Sequence, residues 1–173
     1  MKSETVYHGR IIDVRRDVIA AEGGASYVRE VVVHPGAVAI IPIIRLETVL
    51  LIHQYRYAID KEIIEVPAGT LRPEETPESC ARRELEEETG FRARTIEPLG
   101  KIYTSPGVLS EVIHLFVASG LEKSKQSLES DEALTLFEVP LTEAVEMARR
   151  GEIQDAKTIC AILIAQEHLK TGP

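Results

Sequence analysis

Residues 69–91 read GTLRPEETPESCARRELEEETGF, and the acids in this stretch can do chemistry. Glu84, Glu87 and Glu88 stand at i, i+3 and i+4, so a helix puts them on one face. Three like charges so close repel one another and weaken the helix. The arrangement makes sense where hard cations neutralise it, and Mg²⁺ takes oxygen ligands together with phosphate. Arg83 can pair with a neighbouring acid and hold the cluster in place. A solvated helix face is the ordinary reading of a generic acidic run. Here the run belongs to a longer pattern: Gly69, Glu75, Arg83-Glu84, Glu87-Glu88 and Gly90, followed by apolar Phe91. At roughly 7% per residue type, seven such matches arise by chance at about 10⁻⁸ per starting position.

These residues, with Leu85 between the acids, resemble the Nudix box with no position missing. The resemblance implies a hydrolase of nucleoside diphosphates linked to another group, X. It implies that Glu84, Glu87 and Glu88 ligate metal, with the carbonyl of Ala68 as a further ligand. The cofactor implied is Mg²⁺, with Mn²⁺ or Zn²⁺ as substitutes.

A second motif narrows X. Thr104-Ser105-Pro106-Gly107-Val108-Leu109-Ser110-Glu111 begins shortly after the box. Pro106-Gly107 makes a tight turn with free backbone groups, and Glu111 can accept hydrogen bonds from ribose hydroxyls or join the metal site. An ordinary turn between strands is the alternative. The segment looks like the SPGxxxE signature of the ADP-ribose pyrophosphatase branch. That branch implies substrate contacts for Thr70, Ser105, Pro106, Gly107 and Glu111. It also implies contacts for Arg29-Glu30, often reaching the partner subunit's site, and for Arg56 on the diphosphate or terminal sugar. Arginine suits that task because its planar fork grips phosphate bidentately. Surface ion pairs are the plain reading of Glu30 and Arg56.

The late acidic loop departs from some relatives. It reads Glu129-Ser130-Asp131-Glu132, with serine where some carry the glutamate that serves as base. Glu132 is the first choice for the residue that positions or deprotonates water, and it is also a candidate metal ligand. Glu129 is the second choice as base, and Glu87 also stands close to the chemistry. The expected reaction is Mg²⁺-dependent hydrolysis of ADP-ribose to AMP and ribose 5-phosphate. The alternatives are a Nudix hydrolase of another nucleotide sugar such as GDP-mannose, and a non-catalytic nucleotide-binding Nudix sensor.

Several elements must position these residues. Thr76 suits a helix N-cap, Pro77 the first turn and Gly90 the position just past the end. Ala81, Leu85 and Cys80 can face a core. Upstream, Val6–Ala20 reads as one strand and Tyr27–Val33 as another, joined by a Glu22-Gly23-Gly24 turn. His34-Pro35-Gly36 then divides a small antiparallel part (1–35), expected to dimerise, from the main domain (36–173). Val38–Ile44 and Val49–Tyr55 are apolar runs fit for buried strands, and Ile63–Pro67 is a short strand. Strands are also expected near Leu99–Tyr103, Val112–Ala118 and Leu134–Val139. Leu121–Asp131 reads as a polar, mobile loop. Helices are expected from Thr142 to about Arg150 and from Ala156 to Leu169. Pattern alone suggests an α+β chain with a mixed sheet between helices; the resemblance implies the α/β/α sandwich.

Composition sets the outer bounds. The chain has 173 residues, 44% hydrophobic, with a formal charge of −8. That charge argues against a nucleic-acid backbone as partner. The two cysteines are far apart and form no CxxC, which suits a reduced, cytoplasmic setting. The start MKSETVYHGR lacks an apolar signal core, and no run is long enough to span a membrane. The five histidines show no metal spacing. A homodimer acting on a small nucleotide sugar is expected.

Overall fold

In a computed structural model, which describes residues 2–45, 47–128 and 132–171, the two most apolar runs lie side by side at the centre of a sheet. They are β4 (Ala37–Arg45) and β5 (Thr48–Arg56). β9 (Val112–Lys123) runs parallel to β4 on its other side, and β8 (Phe91–Tyr103) pairs antiparallel with β9. β10 (Leu134–Pro140) and β6 (Lys61–Glu65) both pair with β5. Short β7 (Ala68–Thr70) pairs with β4. The result is a mixed seven-stranded sheet.

Successive side chains of a strand point to opposite faces, and β4 shows what each face meets. Ala37, Ala39 and Ile41 join Leu51, Leu115 and Val117 in a core closed by α2 (Leu141–Arg149) and α3 (Ala156–Thr171). Val38 and Ile40 join Phe116 and Ala118 in a second core, closed by Cys80, Ala81 and Leu85 of α1 (Pro77–Thr89). Helices thus cover both faces of one sheet, the sandwich expected from the sequence.

The ends of α1 follow its sequence. The Thr76 hydroxyl accepts the Ser79 N–H (3.2 Å), and the Ser79 hydroxyl accepts the Thr76 N–H (3.0 Å). This reciprocal cap satisfies two donors at the helix start. Gly90 ends the helix at φ 71°, a left-handed conformation that glycine adopts without strain. Its N–H donates to the Glu86 carbonyl.

Three segments differ from the sequence expectation. Val6–Ala20 is two antiparallel strands, β1 (Lys2–His8) and β2 (Asp13–Ala20), rather than one. The chain turns at Gly9, whose N–H donates to the Ile12 carbonyl (2.9 Å), and alternation continuing on both sides hides that turn. β3 (Ser26–Val33) completes a three-stranded sheet. β8 starts at Phe91 rather than near Leu99, because pairing with β9 orders a polar edge segment that carries little apolar signal. β9 likewise runs through Lys123 into the segment expected to be a mobile loop. Beyond it, Ser124 N–H donates to Gly90 O, Gln126 Nε2 to Glu88 O and Ser127 N–H to Glu87 O. These polar residues are ordered by the open carbonyls at the end of α1. The remainder of that segment, Glu129 to Asp131, lies outside the described residues.

Candidate active site

Strand β7 lays Gly69 directly against α1. A Cβ built on Gly69 would stand 1.9 Å from the carboxyl carbon of Glu84. The first glycine of the motif is therefore a space for a carboxylate. Glu84 is 8% exposed and Glu88 only 1%, so both acids are buried side by side one turn apart. Their ordinary acidity is disturbed accordingly. Burial pushes both upward; the Arg83 fork opposes this at Glu84 and the Ala68 N–H opposes it at Glu88. The negative charge of Glu132 adds to the rise at each. Glu88 accepts that Ala68 N–H at 3.0 Å, which fixes β7 to the helix.

Arg83 organises the rest. Its Nε and Nη2 both donate to Glu75 (2.8 Å each), and Nη1 donates to Glu84 (2.5 Å) and Glu87 (2.9 Å). Nη2 also reaches the Thr70 carbonyl at 3.3 Å. One guanidinium thus ties three acids of the motif to the loop before it. The fork holds Glu75 at about 2, well below the usual carboxylate value. Arg72 approaches Glu87 at 3.5 Å. Cys80, beneath them, is pushed by burial to about 12, so its thiol stays protonated and inert.

A cleft of about 980 Å³ opens over this wall. Ala68, Thr70, Glu84, Glu132 and Arg56 line it, together with Arg10 from the turn between β1 and β2. Gln54 lines it too, with a buried amide oxygen that finds no partner among the described residues. A second cavity of about 390 Å³ shares Arg56, Ala68 and Thr70 and adds Thr104, Glu111 and Lys157. The oxygen-only chemistry of the acids suits a hard divalent cation, and among the described residues the Glu88 carboxylate accepts from one donor, the Ala68 N–H. Among the described residues, however, no three acids, histidines or cysteines converge as a ready-made ion cage, because Glu84 and Glu87 are turned toward Arg83.

The other sequence candidates fall into two groups. Arg56, Thr70 and Glu111 reach the cavities, and Glu111 accepts a hydrogen bond from Thr104 (2.8 Å). Ser105, Pro106 and Gly107 form the exposed turn beside them, closed by Val108 N–H to Ser105 O. That turn is strapped to β3, where Val32 N–H donates to Val108 O and Ser110 N–H to Val32 O. Arg29 and Glu30 lie on exposed β3 and line neither cavity of the single chain. Arg29 stacks over Tyr27, 4.6 Å from the ring centre. Glu129 lies outside the described residues.

Sequence reasoning missed Glu65 and Lys157. Arg56 forks onto Glu65 at 2.6 and 2.7 Å, and Lys157 caps the same carboxylate. Burial would raise Glu65, but these two cations outweigh it and hold the group below its ordinary value. The available signal was a charge inside the apolar run Ile63-Ile64-Glu65-Val66.

Comparison with known proteins agrees with this geometry. The NUDIX domain model matches residues 33–162. The chain is 41% identical to the methanol dehydrogenase activator of Bacillus methanolicus, over 98% of this chain and 94% of that one. It is 37% identical to the ADP-ribose pyrophosphatase of Bacillus subtilis, over 94% of this chain and 89% of that one. A GDP-mannose pyrophosphatase of Cronobacter sakazakii is 41% identical over 65% of this chain and 63% of its own length. A solved structure titled ADP compounds hydrolase superposes with a TM-score of 0.88 at 26% identity, covering 99% of this chain and 93% of that one. With a matching domain model, full-length relatives and an intact carboxylate helix, the chain belongs to the Nudix hydrolase family.

Proposed function

We propose that this protein adds water across the diphosphate of ADP-ribose, giving AMP and ribose 5-phosphate, with Mg²⁺ as cofactor and Mn²⁺ or Zn²⁺ as substitutes. The observation that carries the reading is the pair of buried acids, Glu84 and Glu88, on the wall of a cleft that also presents Arg56. Relatives named ADP-ribose pyrophosphatase span nearly the whole chain, which favours this nucleotide sugar.

Glu84, Glu87, Glu88, Glu132 and the Ala68 carbonyl would hold the cations. Bound divalent ions offset phosphate charge and acidify water. The protein's own groups do the rest. Glu132, or Glu129, takes the proton of the attacking water, with Glu87 close by. Arg56 holds the diphosphate, which fixes the reacting phosphorus relative to the base. Thr70, the Ser105-Pro106-Gly107 turn and Glu111 receive the sugar hydroxyls. Residues 1–35 form a dimerising part beside the 36–173 catalytic domain. Val6, Tyr7, Tyr27 and Val28 are all exposed apolar residues there, and a second subunit would cover them and bring Arg29 and Glu30 to its neighbour's nucleotide. No described helix is long and apolar enough to cross a membrane, consistent with a cytoplasmic enzyme.

A second reading is favoured by the relative named for activating methanol dehydrogenase: the protein regulates another enzyme through its nucleotide site. Steady-state hydrolysis of ADP-ribose, GDP-mannose, diadenosine polyphosphates and nucleoside triphosphates separates the readings. The highest kcat/KM is expected with ADP-ribose. A preference for GDP-mannose moves the protein to another substrate class, and no hydrolysis of any compound favours the regulator.

A further inference from the structure

Glu65 is only 1% exposed, and both of its carboxylate oxygens are used. Oε1 accepts Arg56 Nε and Oε2 accepts Arg56 Nη2. Lys157 Nζ also donates to Oε2 and stands 3.0 Å from Asp155 Oδ2. Asp155 in turn accepts the Thr158 N–H (2.9 Å) and hydroxyl (2.6 Å) at the start of α3. The Thr158 hydroxyl accepts the Val66 N–H (3.0 Å), so the chain of bonds closes on the residue after Glu65. Arg56 is therefore anchored through one edge of its guanidinium, and it lines both cavities. Among the described residues no acceptor bonds its Nη1 group.

Two consequences follow from elementary chemistry. A long arginine loses rotamer freedom when it grips an anion; a guanidinium already held by a buried fork has lost it beforehand. A lone buried carboxylate beside Arg56 would also cancel its attraction for phosphate. Arg56 (+1) with Glu65 (−1) sums to zero; Lys157 (+1) offsets the Glu65 carboxylate that it touches, while Asp155 (−1), which lines the smaller cavity beside Lys157, brings the four groups to zero.

We infer that Glu65 and Lys157 are positioning residues for Arg56: Glu65 sets the guanidinium plane, and Lys157 shares the Glu65 carboxylate so that it does not fully cancel the attraction of Arg56 for a diphosphate. This rests on the reading that Arg56 binds the diphosphate. The test is a double-mutant cycle of Glu65→Gln with Arg56→Ala, reading KM and kcat for ADP-ribose with Mg²⁺ and the Kd of ADP. Glu65→Gln is expected to raise KM and Kd roughly tenfold in the native background and less than about twofold beside Arg56→Ala, with kcat within about threefold. A merely structural role lowers thermal stability without that dependence on Arg56. Equal effects in both backgrounds, or a loss confined to kcat, overturn the inference. If Arg56→Ala leaves KM and Kd unchanged, the reading of Arg56 fails and the inference fails with it. Should Glu65→Gln not fold, Lys157→Met enters the same cycle. It is expected to raise KM severalfold only where Arg56 is present; an unchanged KM there contradicts the charge argument.

Discussion

The α1 site and the N-terminal sheet are built on opposite economies of contact. At α1 nearly every charge has its partner within the chain: Arg83 alone engages Glu75, Glu84 and Glu87, and Glu88 is sealed against Ala68. In the sheet of residues 2–33, β1 is exposed along its whole length and most of β3 is exposed. Asp17, 4% exposed and bonded to Ser3 and Arg15, is the buried charge there. A three-stranded sheet without a packed layer has little to hold it. The contrast is that the acids of α1 are tied to partners within the chain, whereas two strands of the small sheet are left largely uncovered.

Gly69→Ala would break the α1 side most severely. Its Cβ falls inside the space of the Glu84 carboxyl, so Glu84 must leave its place. The expected outcome is a fall in kcat of about 10²-fold or more, measured by steady-state hydrolysis, with the circular dichroism of the helices retained. Activity close to wild type would mean that the place of Glu84 is unimportant.

Arg29→Ala addresses the uncovered sheet. KM for ADP-ribose should rise roughly tenfold with little change in kcat, the mark of lost binding rather than lost chemistry. Light scattering should find a particle of twice the chain's mass at assay concentration. A fully active 19.2 kDa monomer would end the idea of a shared site.

The smallest effect concerns acid stability. Glu75 titrates at about 2 when folded, below the ordinary 4.5. A depressed carboxylate adds stability that is complete above 4.5 and lost as pH falls toward 2. Glu84 and Glu88 are raised, so their charge costs stability above 4.5 and the cost vanishes as they protonate. The two signs thus act in different windows. The gap in urea midpoint between wild type and Glu75→Gln should be constant above about pH 5 and close steadily below it. A gap that does not change with pH would mean that the Arg83 fork does not perturb Glu75.

Much of this was legible in the residues. Thr76, Pro77 and Gly90 mark both ends of α1, and the i, i+3, i+4 acids mark the face that meets Gly69, Ala68 and Arg83. What stayed hidden depends on tertiary partners. Gly69 is a glycine in sequence and becomes a carboxylate pocket only when β7 meets α1. Ser124, Gln126 and Ser127 look like a polar loop because polarity says nothing about the helix carbonyls they satisfy. Glu65 is a lone charge in an apolar run, and nothing near it in sequence names the partners, Arg56 and Lys157, that arrive from β5 and α3. Gly9 hides a turn because alternation continues through it.

The central claim is that the buried acids of α1 make this chain a hydrolase of ADP-ribose. The direct test is AMP release from ADP-ribose at saturating Mg²⁺ by wild type, Glu84→Gln and Glu88→Gln. Each variant removes one carboxylate charge while leaving the side-chain volume nearly unchanged. Wild type should release AMP with ribose 5-phosphate, and each variant should lose about 10²-fold or more in kcat while folding as well as or better than wild type. Near-native turnover in both variants, or no AMP from the wild type, would contradict the account.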